Sequence, residues 1–339
     1  MGALKKVFIV GPGYIGWNVL ELLVAENYTV SGLVRRKEHA EGIENSGGIA
    51  VYGDINDHDL IVRNVLENDI VIHTASADHL PSVEAVLDGI KQRTAANLST
   101  IFIHTSGSNV VGDSSYGATE TSKVYTDSTP DEIDTLSDSA FHRKIDLAII
   151  RASKELDDKA KLAIMIPTEI YGLNKSHKRQ SIRIPTITRF ALTHGFAGYV
   201  GKGLAVESQI HVMDLARAYI VLLHHMERSS AVEFVQNPYF FCENGKEFSW
   251  KEAAEQVGKA LKERALIKDE TPREFSREDW EELFGEYTGL IMGSNCRCRA
   301  ARLKELGWEA KEMGIWESFV QEGLPEILKE ENTARVGLW

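Results

Sequence analysis

Cysteine is scarce in this chain: Cys242, Cys296 and Cys298 are the three in 339 residues. Three thiols make no disulfide framework, and Cys296-Arg297-Cys298 has neither the spacing nor the companions of a zinc site. No metal is therefore expected, and free thiols fit a reducing cytoplasmic setting. Long apolar runs are also missing; nothing approaches the ~20 residues that a membrane-spanning helix requires. Lys5 and Lys6 precede only four apolar residues before Gly11, too few for the core of a signal peptide. Positive charge is in deficit. The 38 Lys and Arg against 50 Asp and Glu leave a net charge of -12, which argues against nucleic acid or an anionic membrane surface as a partner. Any anionic ligand must then find a local basic patch. Internal repeats and low-complexity tracts are absent too.

What is present starts at Val7-Phe8-Ile9-Val10, four apolar residues that predict a short buried strand. A glycine turn follows, with Gly11, Gly13 and Gly16 in G-x-G-x-x-G spacing around Tyr14 and Ile15. Residues 17–26 then carry helical periodicity through Val19, Leu20, Leu23 and Val24. Strand, glycine turn and helix in that order make the dinucleotide-binding arrangement. Gly11 permits the tight turn, Gly13 lets the backbone approach a pyrophosphate, Gly16 lets the helix pack on the sheet, and the helix N-terminus offers N–H groups to phosphate.

The second strand, over 28–34, ends in Arg35-Arg36. An acid at this position would favour NAD by accepting bonds from the ribose hydroxyls. Two arginines favour the extra phosphate of NADP(H). A third strand over 49–52 precedes Asp54 and Ile55, with Asp54 expected near the adenine amino group. Strands over 69–74, 100–105 and 161–167 alternate with helices over 57–66, 80–96 and 136–156. That alternation predicts an α/β, Rossmann-type, doubly wound parallel sheet. Thr74, Ala75 and Thr105 at strand ends leave room for cofactor. Residues 112–134 predict a loop, as do the basic residues 174–183, which could fold over a ligand. His73 and His104, on central strands, are expected to be satisfied core or pocket-wall residues, and 269–286 an acidic solvated face around a helix.

Taken with Tyr52-Gly53-Asp54, His104-Thr105-Ser106-Gly107-Ser108 and Ile166-Pro167-Thr168-Glu169-Ile170-Tyr171-Gly172, the chain resembles the extended short-chain dehydrogenase/reductases. It stands near their NAD-dependent epimerase/dehydratase and NmrA-like groups. Gly201-Lys202-Gly203, residues 210–216 and residues 295–308 extend the likeness over nearly the full length. The resemblance implies an NADP-binding Rossmann domain over 1–172, with 205–226 returning to it. It also implies a smaller C-terminal substrate-binding lobe over 173–204 and 227–339. Pro167, Thr168 and Ile170 would lie on the nicotinamide, and Tyr171 and Arg297 near the substrate. Pairing into a homodimer through the helices over 80–96 and 136–156 is a further expectation of the family.

The catalytic pattern departs from the family. The usual Tyr and Lys, four residues apart on one helix, are missing: no tyrosine lies in 136–156. His142 falls near the lysine position. One helical turn on, Asp146 shares its face and is expected to set the tautomer of a catalytic His142 that also reaches the ribose. Ser106 is the candidate for positioning a carbonyl, and Tyr116 on the following loop is an alternative proton donor. The expected activity is an NADP(H)-dependent oxidoreductase acting on a carbonyl, alcohol or activated double bond of a small organic molecule. A redox-neutral epimerase, dehydratase or isomerase, and a non-catalytic NADP-sensing regulator of the NmrA-like kind, are the alternatives.

Overall fold

The computed structural model describes residues 5–156 and 158–330. The domain ranges 1–172 and 227–339 thus include residues 1–4, 157 and 331–339, which lie outside the described residues. The first half alternates strand and helix: β1 (Lys6–Val10), α1 (Gly16–Ala25), β2 (Thr29–Val34), α2 (Lys37–Asn45), β3 (Ile49–Tyr52), α3 (His58–Glu67), β4 (Ile70–His73), α4 (Leu80–Ala95) and β5 (Thr100–Thr105). Next come β6 (Tyr125–Thr126), α5 (Asp131–Asp134), α6 (Arg143–Glu155), β7 (Ala160–Pro167), β8 (Glu169–Tyr171) and α7 (Arg183–His194). The last part holds β9 (Gly198–Tyr199), β10 (Val206–His211), α8 (Val212–Arg228), α9 (Ala231–Gln236), β11 (Tyr239–Cys242), β12 (Glu247–Ser249) and α10 (Trp250–Glu263).

Seven strands form one parallel sheet in the order β11-β7-β5-β4-β1-β2-β3. Val7 to Val10 of β1 and Ile70 to Ile72 of β4 are buried, as strands covered by helices on both faces must be. α1 packs beside α8, while α3, α4 and α6 pack side by side. Helix ends are capped as their sequences suggest: the Asp57 carboxylate accepts from Leu60 N–H at 3.1 Å at the start of α3, and Ser249 Oγ from Glu252 N–H at 3.2 Å at the start of α10. Such caps contribute about 1 kcal/mol each.

A second apolar core, built from Ile184, Ile187 and Phe190 of α7 with Phe248, Trp250, Val257, Leu324 and Ile327, makes the smaller lobe. Several assignments from sequence are corrected here. Residues 239–242, assigned to the lobe, form β11 at the edge of the main sheet, because Tyr239, Phe240 and Phe241 bury themselves against β7. The helix expected over 136–156 begins only at Arg143; His142 stands before it with φ 64°, in the left-handed region. The 112–134 loop contains β6 and α5, and an unforeseen helix, α2, follows Arg36. Instead of a solvated helix, 269–286 carries short 3-10 turns whose Trp280, Leu283 and Phe284 are buried. Among the described residues, no helix is long and apolar enough to cross a membrane, and no cluster of His, Cys, Asp and Glu has a metal-holding arrangement.

Candidate active site

The C-terminal ends of the central strands open into a cavity of about 690 Å³. It straddles the point where strand order reverses, on either side of β1, the place where open α/β sheets take ligands. Gly11, Gly13, Tyr14 and Ile15 form its floor, Leu33 to Arg36, His39, Gly53 and Ile55 one end, and Thr105 to Asn109, Phe141, His142 and Pro167 to Ile170 the other. Thr74, Ala75 and Asp78 lie between.

The floor is shaped by close approach. Gly11 has φ +85°, and a Cβ there would overlap the Ala75 backbone. A Cβ on Gly16 would overlap Thr74 Oγ1, which donates to Gly11 O at 2.7 Å. Gly16 therefore packs the turn and does not line the cavity. A Cβ on Gly13 would meet little, with Gly11 O the nearest atom at 3.9 Å, so this position faces open space. No side chain caps α1; the Trp17 N–H already donates to Gly13 O at 3.1 Å, and the helix turns its N-terminal, positive end toward the floor. The Tyr14 hydroxyl donates to Gly172 O at 2.6 Å and ties this turn to the end of β8.

Positive charge gathers at the β2 end. Arg35, Arg36, His39 and Arg179 all line the cavity there. Arg179 comes from the segment before α7, touches His39 and lies 5.4 Å from the Trp17 ring. The segment is clasped to α1. Asn174 donates to Asn18 Oδ1 and Glu21 Oε2 at 2.8 Å each, and His177 stacks on Trp17 at 4.4 Å. Burial, then Arg179 and Arg36, push the His39 imidazole below its ordinary value. Asp54 does not line the cavity: its carboxylate accepts from Asn56 N–H at 2.9 Å and pairs with Arg35 at 3.5 Å. Asp54, expected near adenine, thus stands beside the cavity lining and pairs with Arg35.

Ser106, His142 and Phe141 come together at the β5 end. Asp146 does not orient His142. His142 precedes the helix in a left-handed conformation, and its Nδ1 meets Asp78 Oδ1 at 2.8 Å. Nε2 points at Gly107, where a Cβ would stand 3.0 Å away. Asp146 instead accepts from Ser106 Oγ at 3.0 Å. Burial, opposed chiefly by that Ser106 bond, raises its carboxyl to about 7.

Three expected residues lie elsewhere. The Tyr171 hydroxyl is buried against Met313 O at 2.8 Å, within the lobe. Tyr116 sits outside the cavity with φ 47°, its ring against Gly289. Arg297 is held by Glu247 through two bonds of 3.0 and 2.7 Å and by Thr121 O at 2.6 Å, also outside the cavity. The Thr105 hydroxyl is spent on His73 O at 2.8 Å and Tyr219 at 2.6 Å, and the Thr168 hydroxyl on Cys242 O at 3.2 Å; both residues still line the cavity. His73 and His104 are core rather than wall residues, since neither lines the cavity. His73 Nε2 has Ser82 at 2.8 Å, whereas both ring nitrogens of His104 are buried without a hydrogen bond, so burial keeps each ring neutral. Sequence reasoning missed Asp78, Phe141, Glu169, Phe284 and Ile291 as cavity residues. Only Asp78 left a signal, as an acid directly after the small residues that end β4.

A family model described as NAD dependent epimerase/dehydratase matches residues 7–235. The chain belongs to that family. It is an enzyme family, of the extended short-chain dehydrogenase/reductase type, and its cofactor class is a nicotinamide dinucleotide. An uncharacterized Saccharomyces cerevisiae protein is 23% identical over 326 residues, covering 92% of this chain and 97% of its own. The oxidase ucsJ of an Acremonium species is 27% identical over 284 residues, covering 78% of this chain and 80% of the oxidase. Among solved structures, UDP-glucose 4-epimerase of Thermotoga maritima shares the fold with a TM-score of 0.66 at 15% identity, over 97% of this chain and 100% of that one.

Proposed function

We propose that this family member is an NADP(H)-dependent oxidoreductase acting on a carbonyl or activated double bond of a small organic molecule. In this reading His142 exchanges the proton. The observation that carries it is the Asp78–His142 pair, which holds Nδ1 at 2.8 Å and leaves Nε2 facing Gly107 inside the cavity.

The residues fit the dinucleotide. Gly13 leaves open space above the turn, the N-terminus of α1 is uncapped, and Arg35, Arg36 and Arg179 supply cations at the β2 end. A phosphate there would meet three guanidiniums, of which, among the described residues, only Arg35 has a carboxylate in reach, at 3.5 Å. That surplus supports NADP(H) over NAD(H). The bound dinucleotide supplies or accepts the hydride.

The chain's own groups handle the oxygen and the proton. Asp78 accepts the Nδ1 proton and fixes the tautomer, so Nε2 is the atom that gives or takes a proton. Keeping His142 at φ 64° costs about 1 kcal/mol, a strain that structures retain where it serves a site. Ser106 stands ready to hold a substrate oxygen. When the Asp146 carboxyl is protonated it donates to Ser106, and the Ser106 hydroxyl is released to donate in turn. The kinship with an oxidase supports redox chemistry over a redox-neutral outcome. The test is NADPH consumption against a panel of carbonyls and enones. Turnover lost in His142→Ala, with NADPH still bound, supports the reading; unchanged turnover in that variant rejects it.

A further inference from the structure

This inference rests on the preceding reading of the cavity and concerns the substrate it takes. Within the cavity the charges are divided sharply. Arg35, Arg36 and Arg179 stand at the β2 end, and Arg183 is the one lining arginine or lysine, among the described residues, toward the lobe.

Arg183 offers little positive charge. Its Nε lies 2.5 Å from Glu169 Oε2 and its Nη1 2.6 Å from Glu207 Oε1, and Nη1 also donates to Ile291 O at 3.0 Å. Both carboxylates are buried, Glu207 completely. One guanidinium between two carboxylates is neutral if they share a proton and negative if they do not. Burial pushes both glutamates up, Glu207 to about 7, which favours sharing near neutral pH. Asp78 lines the middle of the cavity beside His142, and the buried Asp146 lies behind Ser106. An anion entering here would face carboxylates, and the cations on its way, Arg183 and a protonated His142, are each already paired with a carboxylate.

The largest side chains of the remaining wall are apolar, Phe141, Ile182, Phe284 and Ile291, set among the uncharged polar groups of Ser106, Ser108, Asn109 and Ser181. Phe141 is braced edge-on by Tyr287 at 6.3 Å and sits beside the His142 ring at 6.0 Å. Such a surface stabilises a flat apolar skeleton by burying its area and stacking against its ring.

We propose that the substrate is an uncharged, largely apolar or aromatic carbonyl compound, and that Glu169 and Glu207 determine this by cancelling the charge of Arg183. They are positioning residues in this role, acting through Arg183. A nucleoside-diphosphate sugar or a carboxylate is thereby refused, although the fold is shared with a sugar-nucleotide epimerase.

The experiment uses the full chain saturated with NADP+ and measures binding of three probes by calorimetry. The probes are benzylideneacetone, its near-isostere trans-cinnamate and UDP-glucose. The expected result is saturable binding of benzylideneacetone, at least about tenfold tighter than cinnamate, with none for UDP-glucose at millimolar concentration. The double variant Glu169→Gln, Glu207→Gln should narrow or invert the ketone-to-carboxylate ratio. The single Glu169→Gln, which keeps the Arg183–Glu207 pair, should shift it less, in the same direction. NADPH titration of each variant reports folding at the distant cationic end. Equal or tighter binding of cinnamate or UDP-glucose by the unaltered chain overturns the proposal. So does an unchanged ratio in a variant that still binds NADPH, or no binding of the ketone. Failure of the cofactor reading would show separately, as no NADPH binding by the unaltered chain; the same probe ratio is then measured without cofactor and decides the substrate class by itself.

Discussion

Nδ1 of His142 lies 2.8 Å from Oδ1 of Asp78, across 64 residues of sequence that hold α4, β5, β6 and α5. Asp78 follows β4 and is well exposed, whereas His142 stands at the start of α6 with its side chain mostly covered. The contact turns a histidine that sequence alone places in a vacated lysine position into one with an assigned tautomer and a free Nε2.

The first prediction concerns that pair. His142→Ala should lower kcat by about 10²- to 10⁴-fold, the usual worth of a positioned general acid or base. Asp78→Asn should lower it less, because the ring remains while its tautomer is no longer imposed. NADPH affinity should change little in either variant. Steady-state kinetics paired with cofactor titration checks both; a fall in affinity matching the fall in kcat would mean that the residues only hold cofactor.

A second prediction separates the arginines at the β2 end. Arg36→Ala and Arg179→Ala should each weaken NADPH binding by about tenfold and leave NADH nearly unaffected, since a charged hydrogen bond to phosphate is worth ~1.5–3 kcal/mol. Arg35→Ala should do less, because Asp54 already shares its charge at 3.5 Å. Fluorescence titration of the three variants with both cofactors is the measurement; parallel losses for NADPH and NADH would remove the phosphate reading.

The third prediction follows from burial of Asp146. Its carboxyl titrates near 7 in the folded chain and near the ordinary ~3.9 when unfolded. Between these values the folded state binds the extra proton. This group's contribution to stability is therefore full below about pH 4, declines as pH rises to 7, and is flat beyond. Asp146→Asn keeps an acceptor for Ser106 and removes the titration. The variant should gain about 2–4 kcal/mol over the parent on going from pH 5 to pH 8. Denaturant unfolding at the two pH values decides it; a constant difference would show that Asp146 is not held protonated.

Much of the fold was legible because its signals are local. Val7 to Val10, the glycine turn and the helix after it lie within twenty residues, and each following strand announces itself by an apolar run. The partner of β11 was not legible. Nothing in Tyr239-Phe240-Phe241-Cys242 says that it pairs with β7 at the sheet edge and not within the lobe. The cationic end was readable for Arg35 and Arg36, which follow β2 directly. Arg179 was visible only as part of a basic loop, because its approach depends on Asn174 and His177 gripping α1.

At the catalytic end, helical spacing suggested His142 with Asp146. The left-handed turn at His142 breaks that spacing, and no local residue pattern signals it. Arg297 was expected at the substrate by resemblance, which carries no information about Glu247, the residue that occupies it. Long-range ion pairs of this kind, like Arg183 with Glu207 across 24 residues, are set by packing of the lobe and leave no sequence period.

The measurement that tests the central claim most directly is a fluorescence titration of the purified chain with NADPH and with NADH. The account predicts micromolar binding of NADPH, at least about tenfold tighter than NADH, as expected for a phosphate held by the guanidiniums of Arg36 and Arg179. Equal affinity for the two, a preference for NADH, or no binding of either would contradict it.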